Sequence, residues 1–236
     1  MSTIELSGKA KAAFEVVAIV AFALILKELL DPFFWRFSAP VSLIATVILL
    51  TVLAHRHGEN WSAMGLKSLP GTRAKLLLIP QAAAVFLIVL ATLSAVTFAI
   101  EAAGLELLSE KTHGEIERWG DVTGNLRLYL LMLAISWISG GFAEEMFFRG
   151  FLITRLQTVF AGVRFATVLA IVLPAILFGY VHVYYQGLQG FVNAGIVGLI
   201  FGTAFLLYKR NLWPLVLAHG FINSLGFTAE FMGWDI

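Results

Sequence analysis

The feature that most constrains this chain is a long apolar stretch between Lys75 and Glu101 that contains no charged residue. A helix of about 20 apolar residues crosses the hydrocarbon core of a bilayer. Inside that core only helices and closed barrels satisfy every backbone hydrogen bond. The rest of the chain has the same character, because 59% of its 236 residues are hydrophobic and 13% are charged, whereas soluble domains carry about 25% charged residues. The sequence therefore predicts an integral membrane protein.

The apolar runs predict an all-α fold, a polytopic membrane helix bundle of about seven transmembrane helices. No internal repeat or linker interrupts the chain, so we expect residues 1–236 to form one membrane-embedded domain. A weak amphipathic pattern over 105–125 suggests an interfacial helix between the third and fourth spans. The predicted spans are 12–30, 40–53, 75–103, 126–156, 164–183, 189–208 and 213–229.

Charge and cysteine content exclude several classes of function. The net charge of +1 and the lack of a basic tract argue against a nucleic-acid partner. The absence of cysteine removes disulfides, thiolate metal sites and cysteine nucleophiles, so any metal would be held by histidine and carboxylate. Lysine and arginine are more frequent in the loops on the membrane face that carries the N-terminus than in those on the opposite face. This bias predicts a multi-pass protein of the cell membrane with a cytoplasmic N-terminus.

Between Arg127 and Arg155, which lie near its two ends, the fourth predicted span contains three charged residues: Glu144, Glu145 and Arg149. Each such group at membrane depth costs roughly 2.5–3.5 kcal/mol on insertion scales, which favours a functional use. Glu145 and Arg149 are four residues apart and share a helix face, so they can pair. Glu144 lies about 100° around the helix from Glu145. The spacing thus predicts that Arg149 neutralises Glu145 and that Glu144 is available for chemistry.

Other polar side chains lie in later spans. His182 is expected near the end of the fifth helix, one turn after Phe178, and His219 and Asn223 share a face of the seventh. Taken singly, each fits a structural role in helix packing. Taken together with Glu144, they supply an acid, a base and hydrogen-bond donors for a developing oxyanion. The set therefore predicts an active site shared by helices 4, 5 and 7.

These residues form three motifs in order, Glu144-Glu145-x-x-x-Arg149, Phe178-x-x-x-His182 and His219-x-x-x-Asn223. In them the chain resembles the CAAX protease and bacteriocin-processing family of intramembrane proteases, also called CPBP or Abi. The resemblance covers about 141–225, within a motif-bearing core of about 125–229. It implies a protease domain, and an endopeptidase that acts on a membrane-associated or lipidated protein or peptide.

The resemblance also implies roles for the individual residues. Glu144 and His182 would activate the hydrolytic water, and His219 and Asn223 would stabilise the oxyanion. Glu145 would support the site, held by Arg149, and Phe178 would be a further supporting residue one turn before His182. If these roles hold, the catalytic set of Glu144, Glu145, His182, His219 and Asn223 should line one cavity.

Two questions stay open at this level. A glutamate-activated water without a cofactor is favoured, but Glu144, His182 and His219 could instead form a His₂Glu zinc site. The chain could also be a non-catalytic bacteriocin-immunity or binding protein of the same fold, or a proton-coupled transporter that uses the charged groups as a relay. The expected partners are membrane lipids and the peptide or lipidated substrate.

Overall fold

A computed structural model of the chain describes residues 8–105, 118 and 120–234. Within these residues the fold is entirely helical and contains no strand. We number seven helices in chain order, and the interior of α4, Ser136–Ile153, is a π-helix. The helices are α1 (Gly8–Phe34), α2 (Ser38–Arg56), α3 (Gly71–Ala102), α4 (Leu126–Val159), α5 (Ala166–Tyr180), α6 (Val183–Leu207) and α7 (Trp213–Met232).

Four of the described helices, α2, α3, α4 and α6, are long and apolar enough to cross a membrane. Helix α5 is apolar but shorter. Helix α1 has charged residues near both ends, and α7 contains the polar residues His219 and Asn223. The predicted membrane bundle is therefore supported, whereas the count of seven spans stays a prediction. Most of the proposed interfacial helix over 105–125 lies outside the described residues.

The largest difference from the predicted boundaries lies between α5 and α6. Helix α5 ends at Tyr180, so His182 occupies the turn before α6 and not the fifth helix itself. Helix α6 begins at Val183, earlier than predicted, and is interrupted at Gly187, where φ is 60° and ψ is −150°. That conformation is essentially restricted to glycine. The break lets a short segment after His182 run in a different direction from the rest of α6.

Close approach of α4 and α7 positions the two helices that carry most of the polar motif residues. A side chain at Gly141 of α4 would lie 3.2 Å from the Val216 carbonyl oxygen, and one at Gly220 of α7 would lie 2.5 Å from the Trp137 ring. Glycine at position 141 lets the two backbones approach closely, and glycine at position 220 makes room for the Trp137 ring between them. The same device joins α5 and α6, where a side chain at Gly198 would lie 2.8 Å from the Ala175 Cα atom.

Helix α4 is also the part of the bundle that the other helices surround. It packs against α2, α5 and α7, and its end packs against α1. Most of its π-helical section is buried, including Met146, Phe147 and Phe151. A π-helix is rare and is frequently found at functional sites. The charged residues of the first motif therefore lie in the interior of the bundle and not on its lipid-facing surface.

Candidate active site

Glu145 is the centre of a buried ion-pair network that joins α4 to α7. Its Oε1 atom accepts hydrogen bonds from Arg149 Nη1 at 2.9 Å and from His219 Nδ1 at 2.8 Å. The Glu145 side chain is completely buried, and that of Arg149 is 2% exposed. A buried charge is tolerated only when it is paired and hydrogen-bonded. The pairing of Glu145 and Arg149 predicted from their spacing is present, and His219 extends it across the helix interface.

Aromatic rings enclose the Arg149 guanidinium. Its Cζ atom lies 4.8 Å from the centre of the Phe178 ring and 5.1 Å from that of Phe201. Cations over aromatic faces at this distance gain electrostatic stabilisation, more so when they are desolvated. This contact explains the place of Phe178 in the second motif, because its ring connects the arginine of the first motif to the His182 segment.

The His219 ring lies between the two adjacent carboxylates. Its Nδ1 contacts Glu145, and its Nε2 lies 3.7 Å from Glu144 Oε2. A carboxylate only accepts hydrogen bonds, so the proton of the short contact is on His219 Nδ1. The edge-on rings of Phe178 and Phe201 fix the imidazole plane, with centroids 6.3 Å and 5.5 Å away. His219 is thus held from three sides, and Nε2 is the atom that faces Glu144.

His182 is held in a similar way, by contacts with Phe178 of the preceding helical turn. Its Nδ1 lies 2.6 Å from the Phe178 carbonyl oxygen, and its ring packs edge-on against Phe178 with centroids 4.6 Å apart. Because a carbonyl oxygen only accepts, His182 Nδ1 is the donor, and Nε2 of the neutral ring carries a lone pair. The ring is therefore oriented to present a hydrogen-bond acceptor.

Asn223 and His219 come together over Gly140 of α4. A Cβ atom added at Gly140 would lie 2.6 Å from Asn223 Nδ2 and 3.6 Å from His219 Nε2. Both polar atoms from α7 are therefore within 3.6 Å of one point beside α4. Gly140 precedes Glu144 by four residues, so this point lies on the same region of α4 as the glutamate.

Glu144, His182, His219 and Asn223 all line one cavity of about 1140 Å³. Glu144 reaches it with a side chain that is 20% exposed. Glu145 is absent from the lining, so the expectation that all five residues line the cavity is wrong for this one. The reason is its pairing with Arg149 and His219, which draws the carboxylate into the interface behind the cavity wall.

The cavity also contains polar residues that lie outside the three motifs. Ser136 and Ser139 of α4 line it near Gly140, and Lys27 and Arg118 also line it, with both cations over the Tyr184 ring. The serines could have been suspected, since they interrupt an apolar stretch one to two turns before Glu144. Nothing in the sequence pairs Lys27 or Arg118 with the motif residues.

The same residues can be tested against a zinc site. Within the described ranges, no group of three or more histidine and carboxylate side chains is arranged so that it could hold a metal ion. The Nδ1 atoms of His182 and His219 are bonded to the Phe178 carbonyl and to Glu145, so Nε2 is the atom that each ring could offer to a metal. As placed, Glu144, His182 and His219 are therefore not gathered into the three-ligand zinc site that their residue types allow, and the choice between zinc and a glutamate-activated water stays a prediction.

Comparison with known families adds to this geometry. Residues 126–225 match the family model of type II CAAX prenyl endopeptidases, described as Rce1-like. The predicted family resemblance is confirmed over these residues. The matched region runs from the start of α4 into α7 and contains all three motifs. No curated protein and no solved structure matches the chain. The family match supports a protease function in the broad sense, of the CAAX endopeptidase type, in a membrane protein with several apolar helices.

Proposed function

We propose that this protein is an intramembrane endopeptidase that hydrolyses a peptide bond in a membrane-associated or lipidated substrate. The observation that carries the proposal is the meeting of Glu144, His182, His219 and Asn223 at one cavity, inside the region that matches the family model. A base, a water-orienting group and two hydrogen-bond donors are the groups that peptide hydrolysis requires.

In the proposed reaction Glu144 is the general base. Its carboxylate takes a proton from a water molecule whose oxygen attacks the carbonyl carbon of the scissile peptide bond. His182 Nε2 accepts a hydrogen bond from the same water and orients it, because Nδ1 is engaged by the Phe178 carbonyl. When the C–N bond breaks, the proton held by Glu144 passes to the leaving nitrogen. One water is consumed, and the products carry a new carboxyl group and a new amine.

The carbonyl oxygen becomes negatively charged during this attack, and Asn223 Nδ2 and His219 Nε2 are the proposed donors to it. His219 already donates from Nδ1 to Glu145. It can therefore donate from Nε2 only when both ring nitrogens carry a proton. Glu145 and Arg149 act as positioning residues, because their contacts fix His219 and do not face the cavity.

The substrate class follows from the walls of the cavity and from the family. Apolar side chains from several helices also line the cavity, including Leu24, Leu43 and Leu177. A lipid chain attached to a peptide would bury apolar surface there. We further propose that the protein lies in the cell membrane with seven spans and a cytoplasmic N-terminus. A C-terminal reporter that was found in the cytoplasm would contradict that topology.

The test is cleavage of prenylated CAAX peptides by the purified full-length chain in proteoliposomes, with products identified by mass spectrometry. We expect Glu144→Gln to lower the turnover roughly 10²–10⁴-fold, the range for loss of a general base. Glu101→Gln is a matched control, because Glu101 is exposed at the end of α3.

Other results would favour the alternative functions. Unchanged turnover in both Glu144→Gln and His182→Ala would end the endopeptidase proposal. Ion flux that depends on Glu145 without peptide cleavage would favour a carrier. Protection of cells from a bacteriocin that persists in the same variants would favour a non-catalytic immunity protein.

A further inference from the structure

The glycines of this chain differ sharply in what an added methyl group would meet. At Gly150 and Gly179 it would lie 2.5 Å from a backbone oxygen of a neighbouring segment, and at Gly220 it would meet the Trp137 ring. At Gly195 its nearest neighbour would be the Ala175 carbonyl oxygen at 3.9 Å, an ordinary contact. Gly140 differs from these positions, because its added methyl group would meet the end of a polar side chain that lines the cavity.

That side chain is Asn223, whose Nδ2 atom would lie 2.6 Å from the new Cβ. Carbon and nitrogen atoms that are not bonded do not approach so closely, so the amide would have to move. The next atom, His219 Nε2 at 3.6 Å, is at normal contact distance and could stay. The collision is therefore selective, since it displaces one of the two proposed oxyanion donors and leaves the other in place.

We propose that Gly140 is a positioning residue of the active site, which seats the Asn223 amide against α4 beside His219 Nε2. Because Gly140 has no side chain, it leaves room for the Asn223 amide donor, in addition to any role in helix packing. The inference rests on the proposed function for its catalytic meaning. The placement of Asn223 itself is a structural statement that can be tested without any activity.

The fold should tolerate Gly140→Ala, because the atom that it meets is the end of a side chain that can rotate away. Gly140 has a helical conformation within α4, so alanine causes no backbone strain. Catalysis should not tolerate the change. Misplacement of a catalytic group by about 1 Å costs on the order of 10²-fold, and removal of one oxyanion donor costs roughly 10²–10³-fold.

The experiment compares Gly140→Ala, Asn223→Ala, the double variant and Gly195→Ala in the full-length protein. We expect Gly140→Ala to lower kcat roughly 10²-fold with little change in KM, and Gly195→Ala to behave as the wild type. In the double variant the methyl group no longer meets the amide, so kcat should equal that of Asn223→Ala alone. Losses that multiply in the double variant would overturn the proposal.

A second measurement separates this proposal from the proposed function. Selective ¹⁵N labelling of asparagine gives a side-chain amide signal that is assigned to Asn223 by its loss in Asn223→Ala. We expect that signal to shift in Gly140→Ala and to stay in place in Gly195→Ala. An unmoved signal would overturn the role of Gly140 whether or not the protein cleaves peptides. A shifted signal in a protein without peptidase activity would leave the placement intact and refute only the proposed function.

Discussion

Helices α1–α3 and helices α4–α7 satisfy their polar side chains in different ways. In the first group the bonds are mostly local, since Thr46 donates to the Ser42 carbonyl oxygen within α2 and Lys27 pairs with Asp31 within α1. In the second group Glu145 is bonded to His219, which lies 74 residues away in the sequence on another helix.

The difference shows which buried polar groups fix the positions of helices relative to one another. A local bond satisfies a side chain without fixing the position of any other helix. A bond between helices fixes both of them, and a buried network is stable only if every member keeps its partner. Helix α3 accordingly exposes apolar residues such as Leu76 and Ile79, whereas α4 and α7 hold ionisable groups in the interior. The contrast predicts that replacing a polar residue will lower the stability much more in α4–α7 than in α1–α3.

The largest effect on stability is expected at Arg149. Arg149→Met leaves Glu145 in the interior without its arginine, and breaking a buried pair by removal of one partner costs about 3–5 kcal/mol. Thermal or denaturant unfolding in detergent measures the change. The double substitution Glu145→Leu with Arg149→Met removes both charges, so it should be less destabilised than Arg149→Met alone. An Arg149→Met protein as stable as the wild type would break the contrast between the two groups of helices.

Helix spacing predicted some parts of this network and not others. The pairing of Glu145 with Arg149 was predictable, because it depends only on residues four apart in one helix. The bond from His219 to Glu145 was not, since it depends on how closely α4 and α7 pack. The position of His182 in a turn was missed because apolar residues continue past the end of α5. The role of Gly140 was also invisible, since a glycine gives no chemical signal until its neighbours are known.

The next effect is expected at His182, which should act on turnover more than on stability. His182→Ala removes the acceptor that we propose orients the water, and we expect kcat to fall roughly 10²-fold, at the low end for acid–base groups. The unfolding midpoint should change little, because among the described residues the His182 ring has its hydrogen bond with a carbonyl of its own segment. Peptide cleavage and unfolding are measured on the same preparation. A large loss of stability with normal specific activity would make His182 a structural residue.

A smaller effect is expected for an exception in the first group of helices, the pair that α1 makes with the end of α4. Arg155 Nε lies 2.9 Å from Glu15 Oε2, but both side chains are partly exposed, at 33% and 24%. Exposed pairs of this kind contribute about 0–1 kcal/mol. Glu15→Gln should therefore lower the free energy of unfolding by no more than that and leave peptide cleavage unchanged. A loss as large as that of Arg149→Met would show that bonding between helices matters more than burial.

The smallest effect is expected from a metal chelator, which tests whether a metal ion is needed to orient His182 and His219. Their Nδ1 atoms are bonded to Glu145 and to the Phe178 carbonyl, so the protein itself orients both rings. The described side chains also include no group of three or more that is arranged so that it could hold a metal ion. We therefore expect peptide cleavage to be the same before and after incubation with a chelator, and no zinc to remain with the purified protein by elemental analysis. Activity that was lost with the chelator, restored by zinc and absent in His182→Ala would show that a metal completes the site. In that case Glu144, His182 and His219 would have to move together from the positions described here.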